Sequence, residues 1–177
     1  METSALDAAF WITAASILLL LVCSGFFSGS ETALTAASRG KLRSMADRGA
    51  VGAGRALKLK EDNERLIGGI LLGNNLANIL ATSLATALFT RALGDSGVAA
   101  ATLVMTLLVL IFAEVLPKTY AITDPERAAS IAAPLVNVII TVLSPAVAVV
   151  RGIVRVVLRL FGLHIQPGDQ MLSVREE

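Results

Sequence analysis

Four stretches of the 177-residue chain carry no charged side chain: between Asp7 and Glu31, Arg65 and Arg91, Asp95 and Glu114, and Arg127 and Arg151. A helix rises about 1.5 Å per residue, so about 20 apolar residues cross the hydrocarbon of a bilayer. The first, second and fourth stretches reach that length, and the third does once Glu114 is counted inside it. The pattern predicts membrane spans over about residues 8–29, 66–90 and 97–121. The leading METSALD is acidic where a signal peptide is basic, so the first stretch reads as a retained helix.

Charge sets the orientation. Residues 30–65 hold Arg39, Lys41, Arg43, Arg48, Arg55, Lys58, Lys60 and Arg65, eight of the fifteen basic residues. The positive-inside rule puts this segment in the cytoplasm, with the N-terminus and the Arg91–Gly97 turn outside. The third span returns to the cytoplasm near Lys118 and Arg127. The fourth stretch contains Pro134 and Pro145, which break hydrogen bonds inside a helix. If it crossed, Arg151, Arg155 and Arg159 would sit outside, against the charge rule. The favoured reading is therefore broken helices along the inner leaflet, with a fourth span as the alternative. Asp124-Pro125-Glu126 supplies their start: an N-cap, a proline at the first helical position and an acid in the first turn. The cytoplasmic loop reads as short helices interrupted by the glycine-rich stretch 49–54.

The fold class that follows is all-α and integral to the membrane, with three transmembrane helices and a belt of juxtamembrane helices over about 31–62 and 125–162. Residues 1–163 form one domain, and 164–177 read as a linker toward a further cytosolic domain.

Composition narrows the function. Hydrophobic residues make up 55% and charged residues 16%, with mean hydropathy +0.73; soluble domains carry roughly 25% charge. A net charge of +1 gives no electrostatic case for nucleic acid. One cysteine, Cys23, and one histidine, His164, build neither a disulfide framework nor a zinc site.

In hydrocarbon an unpaired polar group costs several kcal/mol, on the order of a lost hydrogen bond or more, which makes polar clusters informative. The first is Ser24-Gly25-Phe26-Phe27-Ser28-Gly29-Ser30. Ser24 and Ser28 share a face, and Ser28-x-x-Glu31 also fits a capping box at a helix end. The second is Gly73-Asn74-Asn75-Leu76-Ala77-Asn78. Here Asn74 and Asn78 share a face beside a small-residue stripe of Gly69, Gly73, Ala77, Ala81 and Ala85, so the amides are either ligands or interhelical glue. The third is Glu114-Val115-Leu116-Pro117-Lys118. Lys118, four residues on, either neutralises Glu114 or leaves it to a cation. Pro117 cannot donate to the carbonyl of Ala113, freeing an oxygen beside the carboxylate.

With the topology above, all three clusters lie toward the cytoplasmic ends of their helices and meet at one level. They offer hydroxyl, amide, carbonyl and carboxylate oxygen, the ligand set of hard cations. No nucleophile–base pair or phosphate loop accompanies them, so an enzyme is not expected. The residues alone point to a site for a hard cation that must also leave, such as Mg²⁺, Ca²⁺ or Na⁺. The functions weighed are a transporter of Mg²⁺, a transporter of another hard cation (Na⁺, Ca²⁺ or Co²⁺), and a non-transporting membrane scaffold.

The motifs SGFFSGSETAL at 24–34, GNNLAN at 73–78 and EVLPKTYA at 114–121 resemble the transmembrane domain of the CorC/cyclin M family of magnesium transporters. The three occur in the family's order, and the resemblance covers about residues 8–163. It implies a homodimer in the cell (inner) membrane that exports Mg²⁺, driven by Na⁺ entry. It further implies that Ser24, Ser28, Gly73, Asn74, Asn78 and Glu114 line the cation site, and that Pro117 is the family's helix break. Lys118 departs from the Gln of the animal members and fits the bacterial pattern. Full-length members continue into cytosolic CBS modules that bind ATP.

Overall fold

The computed structural model describes residues 3–161, with side chains from residue 8 onward; the linker expected at 164–177 lies outside them. The described chain is helical from end to end. The helices are α1 (Thr3–Ala36), α2 (Arg39–Asp47), α3 (Val51–Glu61), α4 (Asn63–Leu93), α5 (Ser96–Leu108), α6 (Leu116–Thr123) and α7 (Pro125–Leu160). A π-helical stretch, Val109–Val115, joins α5 to α6. Four units among the described residues are long and apolar enough to cross a membrane: Ala8–Ala36, Asn63–Leu93, Ser96–Thr123 and Pro125–Leu160.

Two apolar cores hold the molecule. One lies among α1, α4, α5 and the π-helical stretch, where Ile17, Leu21, Ala81, Ala85, Met105 and Ala113 are buried together. The other lies at one end of the bundle, where α2, α3 and α7 wrap Phe27, Leu34, Leu42, Leu66, Val136 and Ile140. The small-residue stripe of α4 is buried along its length, as a close-packing seam requires. The turn from α4 to α5 closes on Gly94, whose φ of 65° suits a residue without Cβ.

Three expectations need correction. First, α1 does not stop near Gly29 but continues to Ala36, so Ser28 and Glu31 lie inside a helix and form no capping box. Lys60 of α3 instead ends this helix, donating from Nζ to the carbonyls of Leu34 and Ala37, the latter at 2.7 Å. Burial and the nearby Arg39 guanidinium hold this ammonium below the ordinary lysine range, against the pull of Glu126. Second, the glycine-rich interruption is shorter than the run 49–54: Gly52 and Gly54 are already in α3. Third, the broken helices expected over 128–150 are one continuous helix, α7, running through Pro134 and Pro145.

At both prolines α7 continues past the lost hydrogen bond. Pro134 has no N–H to give to the carbonyl of Ser130. That carbonyl is covered by α3, so closely that a Cβ on Gly52 would lie 2.1 Å from the oxygen. Pro145 similarly deprives Thr141, which is exposed on the polar side of the helix. The start of α7 is as expected: Asp124 accepts from the Arg127 N–H at 3.2 Å, with Pro125 behind it.

Along α7 the contacts stay at one end of the bundle. Ala128 and Ala132 border a cavity with Ser30 and Ala33 of α1. Further on, Ile140 packs against Gly69 of α4, and Val147 against Gly68. Two turns of α7 thus pass while its partner position on α4 shifts by one residue. The two helices cross; they do not run side by side.

Candidate functional site

The site forms where three helices approach closely, between the two cores. Pro117 sits in the notch made by Gly25 and Gly29 of α1: added Cβ atoms there would lie 3.2 Å from its Cγ and 3.3 Å from its Cβ. The Gly-x-x-x-Gly spacing of residues 25–29 was the available sequence signal for this seam. It brings the serines of α1 up to Glu114.

The backbone around Glu114 is widened. In the π-helical stretch the Leu116 N–H donates to the carbonyl of Ile111, five residues back. Continuing that register, the acceptor deprived by Pro117 is Phe112, not the Ala113 that an α-helical register designates. The Phe112 oxygen faces α1, 3.1 Å from where a Cβ on Gly25 would be. Single π turns recur at functional sites because they re-aim side chains and release carbonyls. Here the widened turn carries the only acid of the third long helix.

Glu114 is the hub of the polar contacts. Ser28 donates to its Oε2 at 3.2 Å and Asn74 Nδ2 to its Oε1 at 3.2 Å. Ser24 in turn donates to Asn74 Oδ1 at 2.6 Å. Lys118 Nζ lies 2.9 Å from Oε2. Ser24 and Ser28 are fully buried and Asn74 nearly so, whereas Glu114 keeps 28% and Lys118 43% side-chain exposure. The carboxylate is therefore only partly covered, with its neutral partners behind it.

Five of the eight expected residues are thus joined: Ser24, Ser28, Asn74, Glu114 and Lys118. Asn78 is not bonded to them; its Oδ1 is buried with no hydrogen-bond donor from the protein. Gly73 makes room for an aromatic ring, since a Cβ there would lie 2.5 Å from Phe27 Cζ. Pro117 packs on α1 as described. Among the described residues no three His, Cys, Asp or Glu side chains gather into a metal cluster. A cation held here would meet one carboxylate and the Ser28 hydroxyl oxygen. The Asn74 amide, which turns its Nδ2 to Glu114 and its Oδ1 to Ser24, would have to rotate to add a second neutral oxygen. One formal charge suits an ion that must also leave.

The family model described as the cyclin M transmembrane N-terminal domain matches residues 15–177. The chain belongs to the cyclin M family. Among its relatives, the UPF0053 inner membrane protein YfjD of Escherichia coli is 43% identical over 140 residues, covering 79% of this chain and 33% of the relative. A UPF0053 protein of Haemophilus influenzae is 34% identical over 160 residues, covering 90% and 38%. The polyamine export protein of the same organism is 29% identical over 174 residues, covering 91% and 40%. The cyclin M domain described here therefore spans well under half the length of these proteins. With its four long apolar helices, it is a multi-pass membrane protein.

Proposed function

We propose that this cyclin M domain is a secondary transporter that exports Mg²⁺ from the cytoplasm, coupled to Na⁺ entry. The observation that carries the proposal is the convergence on Glu114 of polar side chains from two other helices, the Ser28 hydroxyl and the Asn74 amide. In this reading Lys118 is an internal stand-in for the cargo. Its ammonium neutralises Glu114 while no ion is bound, then swings along its flexible stem to the interface when a cation enters. Asn78, with its undonated oxygen, is the further ligand on the cation's path. A homodimer, and cytosolic CBS modules in the full-length protein, belong to the same proposal through the family resemblance.

The proposed topology has three spans, with the N-terminus outside, the C-terminus cytoplasmic and α7 lying in the inner interface. The crossing of α7 over α4 supports it, as does the arrangement of residues on α7. At about 100° per residue, Ile131, Leu135, Val142, Val149, Ile153 and Leu160 fall on one exposed strip. Asn137, Thr141, Ser144, Arg151, Arg155 and Arg159 fall on another side. A helix divided in this way along its whole length suits a membrane surface better than a crossing. Gly152→Cys, where an added side chain meets nothing within 4 Å, tests the topology in a Cys23→Ser background. An impermeant thiol reagent is expected to label it from the cytoplasmic side only. Labelling from outside would overturn the three-span reading.

A second cargo has a specific observation in its favour. Glu114 already accepts a primary ammonium, that of Lys118, at 2.9 Å, and one relative is named a polyamine export protein. An organic polyamine could take the place of Lys118 as well as Mg²⁺ could. Proteoliposome flux separates the two, with Mg²⁺, Na⁺ and a labelled diamine varied independently. Mg²⁺ flux that responds to the Na⁺ gradient and is indifferent to diamine is the expected outcome; diamine flux without Mg²⁺ flux would replace the first reading by the second.

A further inference from the structure

Between α4 and α7 lies a groove of about 440 Å³, within the range of small-molecule sites, roughly 300–1,000 Å³. Ile67, Leu71 and Leu72 of α4 and Val147 and Val150 of α7 make its walls, and Glu64 and Arg151 stand at one end. Arg151 Nε is buried and has no hydrogen-bond partner. The nearest carboxylate oxygen, on Glu64, is 3.7 Å away and belongs to a side chain that is 76% exposed. The pair is loose, and water solvates the acid.

An apolar slot ending at an arginine with an unused donor fits one kind of occupant: an amphiphile with an anionic head. The surroundings extend the match. Arg155 and Arg159 follow Arg151 at one-turn intervals, both exposed, on the same side of the helix. On the far side Ile153, Val156, Leu160 and Phe161 are each more than half exposed. This end of α7 has a basic edge at headgroup level and an apolar edge for acyl chains.

We infer that the α4–α7 groove seats an anionic phospholipid of the cytoplasmic leaflet, its phosphate on Arg151 and Arg155 and part of an acyl chain between Leu71 and Val147. The inference rests on the proposed placement of α7 at the inner interface and is independent of the cargo. The bound lipid fills the gap between a span and the surface helix, and so ties the placement of α7 to the charge of the membrane.

The test uses the purified domain in mild detergent, titrated with phosphatidylglycerol or with phosphatidylcholine of the same chains, and bound lipid counted by native mass spectrometry. The wild type is expected to retain phosphatidylglycerol preferentially. Arg151→Gln and Arg155→Gln are each expected to weaken that lipid about fivefold, from the usual strength of one arginine at an anionic surface. Leu71→Trp, which fills the slot and leaves the arginines, is expected to lower retention as well, whereas Glu64→Gln, which removes the competing acid, is expected to raise it. Equal retention of the two lipids, or unchanged retention in the arginine and Leu71 variants, would overturn the inference. So would displacement of the lipid by millimolar inorganic phosphate, which would make the site one for a free anion. Mg²⁺ titration of the same samples reads the transport proposal separately: lost lipid preference with intact Mg²⁺ affinity counts against this inference alone.

Discussion

Glu114→Gln is expected to weaken Mg²⁺ binding to the folded domain by at least about tenfold. The substitution keeps the shape and one carbonyl oxygen and removes the charge. Taking one partner from a fully buried ion pair costs about 3–5 kcal/mol. The Glu114 side chain is 28% exposed, so the pair is not fully buried and the cost is smaller. About 1.4 kcal/mol already corresponds to tenfold in affinity, within reach of calorimetric titration. Lys118→Met is expected to act in the opposite direction, since it removes the ammonium that competes for Oε2. Asn74→Ala should weaken binding less than Glu114→Gln, because it deletes a neutral oxygen and one hydrogen bond to the carboxylate. If Glu114 and Lys118 form only a structural pair, both of their variants destabilise the fold and leave the Mg²⁺ affinity of the surviving protein unchanged. That outcome would remove Glu114 from the transport path and favour a scaffold.

What sequence reasoning could reach here followed from charge and spacing. Stretches without charge delimit long helices because a bilayer penalises charge wherever it falls, so Ala8–Ala36, Asn63–Leu93 and Ser96–Thr123 were legible. Polar residues near the same ends of three such helices could be expected to meet, and Ser28, Asn74 and Glu114 do meet. Rotation about a helix axis was less legible. Asn74 and Asn78 share a face by spacing, yet only Asn74 turns its amide to Glu114. The π turn before Pro117 was also hidden, because a proline in a pattern says which donor is missing but not which register the chain adopts around it. The continuity of α7 through Pro134 was not legible either. The Ser130 carbonyl that Pro134 leaves without a donor packs against Gly52 of α3, a neighbour distant in sequence. Likewise α1 outruns its apolar stretch because Lys60, also on α3, accommodates its last carbonyls. Each of these features is tertiary, and none leaves a local signal.

The contact between Gly52 and Ser130 leads to the largest expected effect on stability. In Gly52→Ala the new methyl would lie 2.1 Å from the Ser130 oxygen and 2.9 Å from its carbonyl carbon. Both are backbone atoms of a continuous helix, so no side-chain rotation relieves the overlap. Inserting a methyl group into a packed site typically costs about 1–3 kcal/mol, and the upper part of that range applies where only backbone can move. Separating α3 from α7 would also let water reach the carbonyl that Pro134 leaves without a donor, which offsets part of that cost. Gly54→Ala supplies the contrast. It lies two residues further along the same helix, and its nearest neighbour is the Ala46 Cβ at 4.0 Å. There alanine is expected to be neutral or stabilising by up to about 1 kcal/mol, through helix propensity alone. Thermal unfolding of both variants in the same detergent checks the pair. A Gly52→Ala midpoint equal to that of Gly54→Ala would show that α3 and α7 are not held at this contact.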